Sequence, residues 1–475
     1  MKRISLNGLL CIFLMMHSSL SFIYAQARPY PSLYNDPNVI ILLADDLGYG
    51  DLGCYGNATI KTPHLDQLAS EGLRLTNFYA AAPVCSPSRA GLLTGRIPQR
   101  DGIGDWIREN SNVFLPTETP TFAKMLKLFG YQTAMFGKWH LSGKLGGKLG
   151  GKLDGSQATP GDHGFTTWFA TQNNALPTHE NPNNFIRNGK AEGARTGYSS
   201  TIIVDEAMNW LQQRDEKKPF LLYLPFHSPH ERVATASEYV KQYVNAENEN
   251  QAQYFGNVTQ LDAEIGRLLA RLDELNLRET TIVLFTSDNG PETLNRYKGA
   301  ERSYGTPGAF NKAKLRGMKL HLYEGGLRVP AIIRWPSIIK SGRVSDAPTC
   351  GLDVMPTLLD SLGIALERDD RVDGESFGKL FVSNAWQRNK FIYWQYDEAI
   401  SVPRSKDDKT PTPKYAVRDG DYKLLIDKEF KNIEVYNLRL DPGETTDVSK
   451  KEFKRWRPTI ERAKLIQRQI LIREK

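Results

Sequence analysis

Two short acidic sets are the first residues whose types and positions suggest chemistry. Asp45-Asp46 closes the apolar run "NVIILLADD", and Asp288-Asn289 closes "TIVLFTSDNG". Both offer only oxygen donors, which suit a hard cation such as calcium or magnesium rather than zinc or copper. Capping of a turn would explain either set alone, but two acidic sets ending two apolar runs make a shared site the better reading. A third stretch, "VCSPSRAGLLTGR", sets Cys85 four residues before Arg89. In "GKWHL", Lys138 and His140 are two residues apart, so both side chains project to one face of an extended segment and can reach one substrate together. "HSPH" adds His227 and His230 at the end of another apolar run.

The elements that must position these residues are legible in outline. Continuous apolar β-rich runs begin at Asn38, Phe220 and Thr281, as expected of parallel strands buried on both faces. Amphipathic helices are expected between them, from Val258 to Leu275 and from Pro120 to Leu128 before Gly130. Alternation of strand and helix implies an α/β fold with a central, mainly parallel sheet flanked by helices. Ligands of such sheets bind beyond the carboxyl ends of the strands, where Asp45-Asp46, His227, His230 and Asp288-Asn289 would emerge together. The 475 residues exceed what one core usually serves, so a large domain with a smaller one is expected.

The N-terminus reads as an export signal, residues 1-27. Lys2 and Arg3 precede an apolar run from Leu9 to Phe22, and Ala25-Gln26-Ala27 provides small residues for cleavage. The run is shorter than a membrane span, so an exported product, periplasmic or secreted and without a membrane span, is expected. Removing the signal lowers the formal charge from +7 to +5. That mild excess suits an anionic substrate or a solvated surface, and it gives no reason to expect a nucleic-acid partner. Export also removes Cys11 and leaves Cys54, Cys85 and Cys350, an odd number in an oxidising compartment, so one must stay unpaired, pair between chains or be altered. Cys54 and Cys350 either pair or stay buried as thiols.

"CSPSR", followed by "LTGR", resembles the signature of the type I, formylglycine-dependent sulfatases. "NVIILLADDLGYGDLGCYG", "GYQTAMFGKWHL", "FTSDNG", "LRGMKLHLYEGGLRVP" and "LDVMPTLLDSLGI" occur in the order that family shows. The resemblance implies an alkaline-phosphatase-like fold and hydrolysis of sulfate monoesters. It implies that a separate formylglycine-generating maturation enzyme, reading Pro87 and Arg89, converts Cys85 to formylglycine (3-oxoalanine). It further implies one Ca2+ ion held by Asp45, Asp46, residue 85, Asp288 and Asn289. Arg89 would steady the aldehyde hydrate, Lys138 would contact sulfate, and His140 would take the proton that releases it. His230 is the histidine of "HSPH" that matches the family, and Lys319 matches its second lysine; together they would bind sulfate and protonate the leaving oxygen.

Beyond the match, "GKLGGKLGGKLDG" from Gly143 repeats at a period of four. It reads either as a cationic lip or, preferably, as a solvated low-complexity insertion. From Asp373 the texture changes to short strands and a charged helix near Lys451 to Arg473. This resembles the family's small C-terminal antiparallel sheet with its packing helix, so the expected division is a catalytic domain over 28-370 and a smaller C-terminal subdomain over 371-475. A sulfated carbohydrate, such as an algal polysaccharide or its oligosaccharides, is the expected substrate, which would place the enzyme in polysaccharide degradation. The alternatives are a phosphomonoester or phosphonate ester hydrolase on the same fold and a non-catalytic polysaccharide-binding relative.

Overall fold

The structure, a computed structural model, describes residues 36–145, 156–293, 299–366, 372–396, 413–450 and 453–473. The expected export signal and residues 146–155 of the Gly-Lys-Leu repeat lie outside them.

A ten-stranded sheet organises the chain. Its order is Arg343–Ser345, Leu73–Leu75, Ala331–Arg334, Thr281–Ser287, Asn38–Asp45, Phe220–Pro229, Gln132–Lys138, Thr167–Thr171, Phe185–Arg187, Lys190–Gly193. The five central strands, Thr281–Ser287 through Thr167–Thr171, run parallel. Antiparallel partners close both sides of this block. The central strands are mostly apolar because both faces are covered. In Asn38–Asp45, Val39, Ile41 and Leu43 pack into one hydrophobic layer, while Ile40, Leu42 and Ala44 pack into the other. Helices Cys85–Thr94, Phe122–Leu128 and Val354–Ser361 supply the first layer, and Pro63–Ser70, Ser199–Gln213 and Glu249–Glu274 supply the second.

Two helix boundaries differ from expectation. The long helix begins at Glu249 rather than Val258, because Asn248 caps it by accepting from the Gln251 amide and because Ala252 and Tyr254 are buried below the periodic leucines. The helix expected from Pro120 begins at Phe122, where the Thr121 side chain accepts from the Lys124 amide.

Beyond the main sheet, Ile392–Gln395, Tyr415–Asp419, Tyr422–Ile426 and Ile433–Asn437 form a separate antiparallel meander. Trp456, Ile460, Ala463 and Ile470 of helix Phe453–Arg473 join its apolar core. A buried charge network ties this unit to the large one. Lys423 Nζ lies 3.0 Å from Glu324 Oε1 and 2.9 Å from Glu444 Oε1, and Arg328 lies 3.2 Å from Glu324 Oε2. Among the described residues no helix is long and apolar enough to cross a membrane, and Cys54, Cys85 and Cys350 are all free thiols.

Candidate active site

Strand register brings the candidate residues level. Asp45 is the last residue of its strand and lies beside Pro229, while Ala44 lies beside Ser287. Lys138 is likewise the last residue of Gln132–Lys138. Asp45-Asp46, Lys138, His230 and Asp288-Asn289 therefore emerge on one rim, at the carboxyl ends of four adjacent parallel strands. Two of the turns that follow are forced into positive φ, at Asp46 (62°) and His140 (55°). Such conformations in non-glycine residues persist where surrounding contacts over-determine them.

Opposite this rim stands the first turn of helix Cys85–Thr94, which Gly95 ends in a left-handed conformation, its amide donating to the Gly91 carbonyl at 2.9 Å. Cys85 Sγ lies 3.7 Å from Asp45 Oδ1 and 4.0 Å from Lys138 Nζ. Burial pushes the thiol pKa up, and Asp288 and Asp45 add to that rise, against Lys138 and Lys319. As a cysteine it is therefore held as the weakly nucleophilic thiol.

One turn along, Arg89 is fully buried among acids. Nε and Nη2 lie 2.9 and 2.8 Å from Asp288 Oδ2, Nη2 lies 3.3 Å from Asp45 Oδ1, and Nη1 donates to the Lys138 carbonyl at 2.9 Å. Lys138 Nζ reaches Asp45 Oδ2 at 2.7 Å and Asn174 Oδ1 at 3.0 Å. Lys319 Nζ reaches Asp46 Oδ2 at 2.7 Å. Burial raises the Asp45 pKa, but Lys138, His230 and Arg89 together hold it well below the usual carboxylate range. Asp288 is pushed up to about 7 by burial and the neighbouring Asp45, against Arg89.

The oxygen donors fit a cation. Asp45, Asp46, Cys85 and His230 each bring a ligand atom within 4.8 Å of the others. Asn289 donates its Nδ2 to Asp46 Oδ1 at 2.6 Å, which leaves its buried Oδ1 without a hydrogen-bond partner and free to ligate. Asp288 Oδ1 accepts from the Asp46 amide at 3.1 Å. His230 thus joins a cluster for which the sequence suggested Asp288, whose other oxygen is held by Arg89.

The histidines divide by their surroundings. His140 Nε2 meets the Ile107 carbonyl at 3.1 Å, and its buried Nδ1 has no partner. A carbonyl only accepts, so Nε2 carries the proton and Nδ1 presents its lone pair. Burial, with Lys138 and Arg89, holds the His140 pKa well below normal. His230 Nδ1 lies 2.7 Å from Glu231 Oε2 and 2.9 Å from the Glu231 carbonyl, and Nε2 lies 2.8 Å from Lys319 Nζ and 3.5 Å from Asp46 Oδ2. Burial and Lys319 oppose its protonation, but Glu231 and Asp46 prevail and raise its pKa well above normal. His227 instead bonds Thr171 Oγ1 at 2.7 Å, and His321 packs its ring edge-on against Tyr323. Sequence reasoning missed Asn174 and Glu231, since neither belongs to a spacing pattern and both enter only through folded contacts.

This constellation agrees with the comparisons to known proteins. The sulfatase family matches residues 37–364, and the family described as N-sulphoglucosamine sulphohydrolase, C-terminal, matches residues 318–467. Rat steryl-sulfatase is 31% identical over 82% of this chain and 77% of its own length. Human arylsulfatase A is 34% identical over 84% of this chain and 75% of its own. The solved structure of Ps i-CgsB in complex with k-i-k-neocarrahexaose superposes with a TM-score of 0.74 at 28% identity, covering 88% of this chain and 89% of that one. With acids, cations and histidines gathered on the rim of an alkaline-phosphatase-like sheet, the chain belongs to the sulfatase family and is a sulfuric ester hydrolase.

Proposed function

We propose that the protein is an exported enzyme that hydrolyses sulfate monoesters on a sulfated carbohydrate, using a formylglycine made from Cys85 and one calcium ion. The single observation that carries the mechanism is the setting of residue 85: a thiol kept protonated by burial, at the mouth of a cage of three acids and three cations. A thiol there is a poor nucleophile, whereas the hydrate of an aldehyde supplies two hydroxyls on one carbon. Conversion requires the maturation enzyme and an external oxidant. Asp45, Asp46, Asp288, Asn289 and residue 85 would hold calcium, which would stabilise the negative charge of the sulfate group as it reacts.

The chain's own groups then divide the work. Lys138 and Lys319 bind and orient the sulfate oxygens, and Arg89 fixes residue 85 against Asp45 and Asp288. One hydroxyl of the hydrate attacks sulfur as its proton passes to Asp45, whose Oδ1 lies 3.7 Å from Cys85 Sγ, and the bond to the sugar oxygen breaks as that oxygen takes a proton from His230. His140, neutral and with Nδ1 bare, removes the proton of the second hydroxyl. The carbon–oxygen bond to sulfate then breaks, the aldehyde re-forms, and water rehydrates it.

The neocarrahexaose bound to the Ps i-CgsB relative supports a sulfated sugar as substrate. The basic, apolar N-terminus supports export to the periplasm or beyond, and the separate meander supports a subdomain boundary near residue 371. Desulfation of a panel of defined sulfated oligosaccharides, alongside matched phosphate esters, tests the activity. Faster phosphate cleavage would overturn the sulfatase reading, and a thiol at residue 85 in active enzyme, seen by peptide mass, would overturn the aldehyde.

A further inference from the structure

The far end of helix Cys85–Thr94 meets a second charged cavity. There the Gly95 carbonyl accepts from the Asp373 and Gly374 amides at 2.9 and 3.1 Å. Beside this junction lies a cavity of about 270 Å³ between the large unit and the C-terminal meander. Its apolar wall includes Ile97, Leu352 and Ile392, and its charged lining is Arg100, Arg388, Lys390, Arg462 and Asp373. Ten helical residues, about 15 Å, separate it from residue 85.

The charges in this lining do not balance. Arg100 Nε lies 3.1 and 2.9 Å from the two oxygens of Asp373. Arg388 grips Asp353 with both terminal nitrogens, at 2.5 and 3.0 Å, which leaves its buried Nε without a partner. Lys390 Nζ donates to the Gly374 carbonyl at 3.0 Å. Arg462 lies over the Phe391 ring at 4.6 Å and has no carboxylate partner among the described residues. Among the described residues, three carboxylates, Asp353, Asp373 and Glu375, which accepts from the Asn389 and Lys390 amides, therefore stand against four cations around this recess. An anion entering it meets an excess positive charge and, in Arg462, a guanidinium with no carboxylate partner among the described residues, with apolar surface beside it for the carbon skeleton that bears the anion.

We infer that this cavity is a second anion-binding site, taking a sulfate group of a sulfated saccharide at a distance from the ester being cleaved. It rests on the sulfated-carbohydrate reading of the substrate but not on formylglycine chemistry. The same oxyanion chemistry is offered by free inorganic sulfate, the product of the reaction. Arg462 and Lys390 are exposed, so replacing them does not open the core.

The test is the double variant Arg462→Ala/Lys390→Ala of the matured enzyme. Its kinetics on 4-nitrophenyl sulfate and on a sulfated carrageenan hexasaccharide are compared with wild type, and calorimetric titrations with sodium sulfate and with the hexasaccharide accompany them. The expected result is aryl sulfate turnover within about twofold of wild type with a hexasaccharide KM raised about tenfold, the equivalent of one charge-assisted contact. An unchanged hexasaccharide KM with one equivalent of sodium sulfate binding lost would assign the site to free sulfate. Unchanged KM and unchanged binding of both probes would overturn the proposal. If neither protein cleaved any sulfated sugar, the substrate reading would fail, and the two titrations would still decide whether the cavity binds anions.

Discussion

Glu231→Gln tests whether the residue beside His230 tunes the proton donor. In the wild-type structure His230 Nδ1 meets Glu231 Oε2 at 2.7 Å, with the two side chains only 7% and 12% exposed. The substitution preserves size and one oxygen but removes the charge. The Glu231 carbonyl, 2.9 Å from Nδ1, still accepts from it, so the ring keeps its tautomer and the experiment isolates the carboxylate. Hydrogen bonds to charged groups contribute about 1.5–3 kcal/mol. Placed on the imidazole that protonates the leaving oxygen, that range lowers kcat by about 10- to 150-fold. Because Glu231 acts through His230, KM for a small aryl sulfate is expected to stay within about twofold. Steady-state kinetics on metal-loaded enzyme, with thermal unfolding as the check on folding, measures both constants. In a His230→Ala background the same substitution has nothing left to tune and is expected to cost less than about twofold. A kcat within about threefold of wild type, or full additivity with His230→Ala, would refute the reasoning.

Three further perturbations address the metal, the junction between the large unit and the C-terminal meander, and pH. Asn289→Leu removes the bare amide oxygen beside Asp46, so calcium retained per chain after dialysis, measured by atomic emission, is expected to show at least about a tenfold loss of affinity; unchanged retention would count against Asn289 as a ligand. Lys423→Met leaves Glu324 and Glu444 buried without their shared cation and is expected to cost about 3–5 kcal/mol in the first unfolding transition in denaturant, whereas a loss below about 1 kcal/mol would show that the two units do not depend on it. Asp262 accepts from the His64 and Leu65 amides, and burial pushes its carboxyl up to about 7 despite them. Because the folded pKa is raised, its stabilising contribution is full below the unfolded pKa near 4 and is lost as pH rises through 7. The difference in melting temperature between wild type and Asp262→Asn should therefore move in the variant's favour between pH 5 and 8, and parallel curves would exclude this assignment.

Much of the fold was legible because burial on both faces leaves a plain mark. The runs from Asn38, Phe220 and Thr281 are mostly apolar and buried at every position, and they became adjacent parallel strands. The short strands on one side of the sheet escaped notice, since Leu73–Leu75, Ala331–Arg334 and Arg343–Ser345 are three or four residues long and owe their state to their neighbours rather than to a pattern of their own. The polar first turns of Glu249–Glu274 were hidden for a related reason. The buried Ala252 and Tyr254 carry little periodic signal before the leucines begin.

The sequence by itself determined the residue types of the site: hard oxygen donors after two strands, Lys138 and His140 on one face, and Cys85 four residues before Arg89. These follow from local geometry and from motifs that demand particular chemistry at fixed spacing. Only the tertiary structure decided which carboxylate each cation meets, that Asn289 keeps a bare oxygen, that Glu231 backs His230 while His227 turns to Thr171, and that Asn174 holds Lys138. Apart from the adjacent His230 and Glu231, such pairings join distant residues, 36 positions apart for Lys138 and Asn174 and 273 for Lys319 and Asp46. They exist once strand register sets the carboxyl ends level, and register depends on packing of the whole sheet against both of its helical layers.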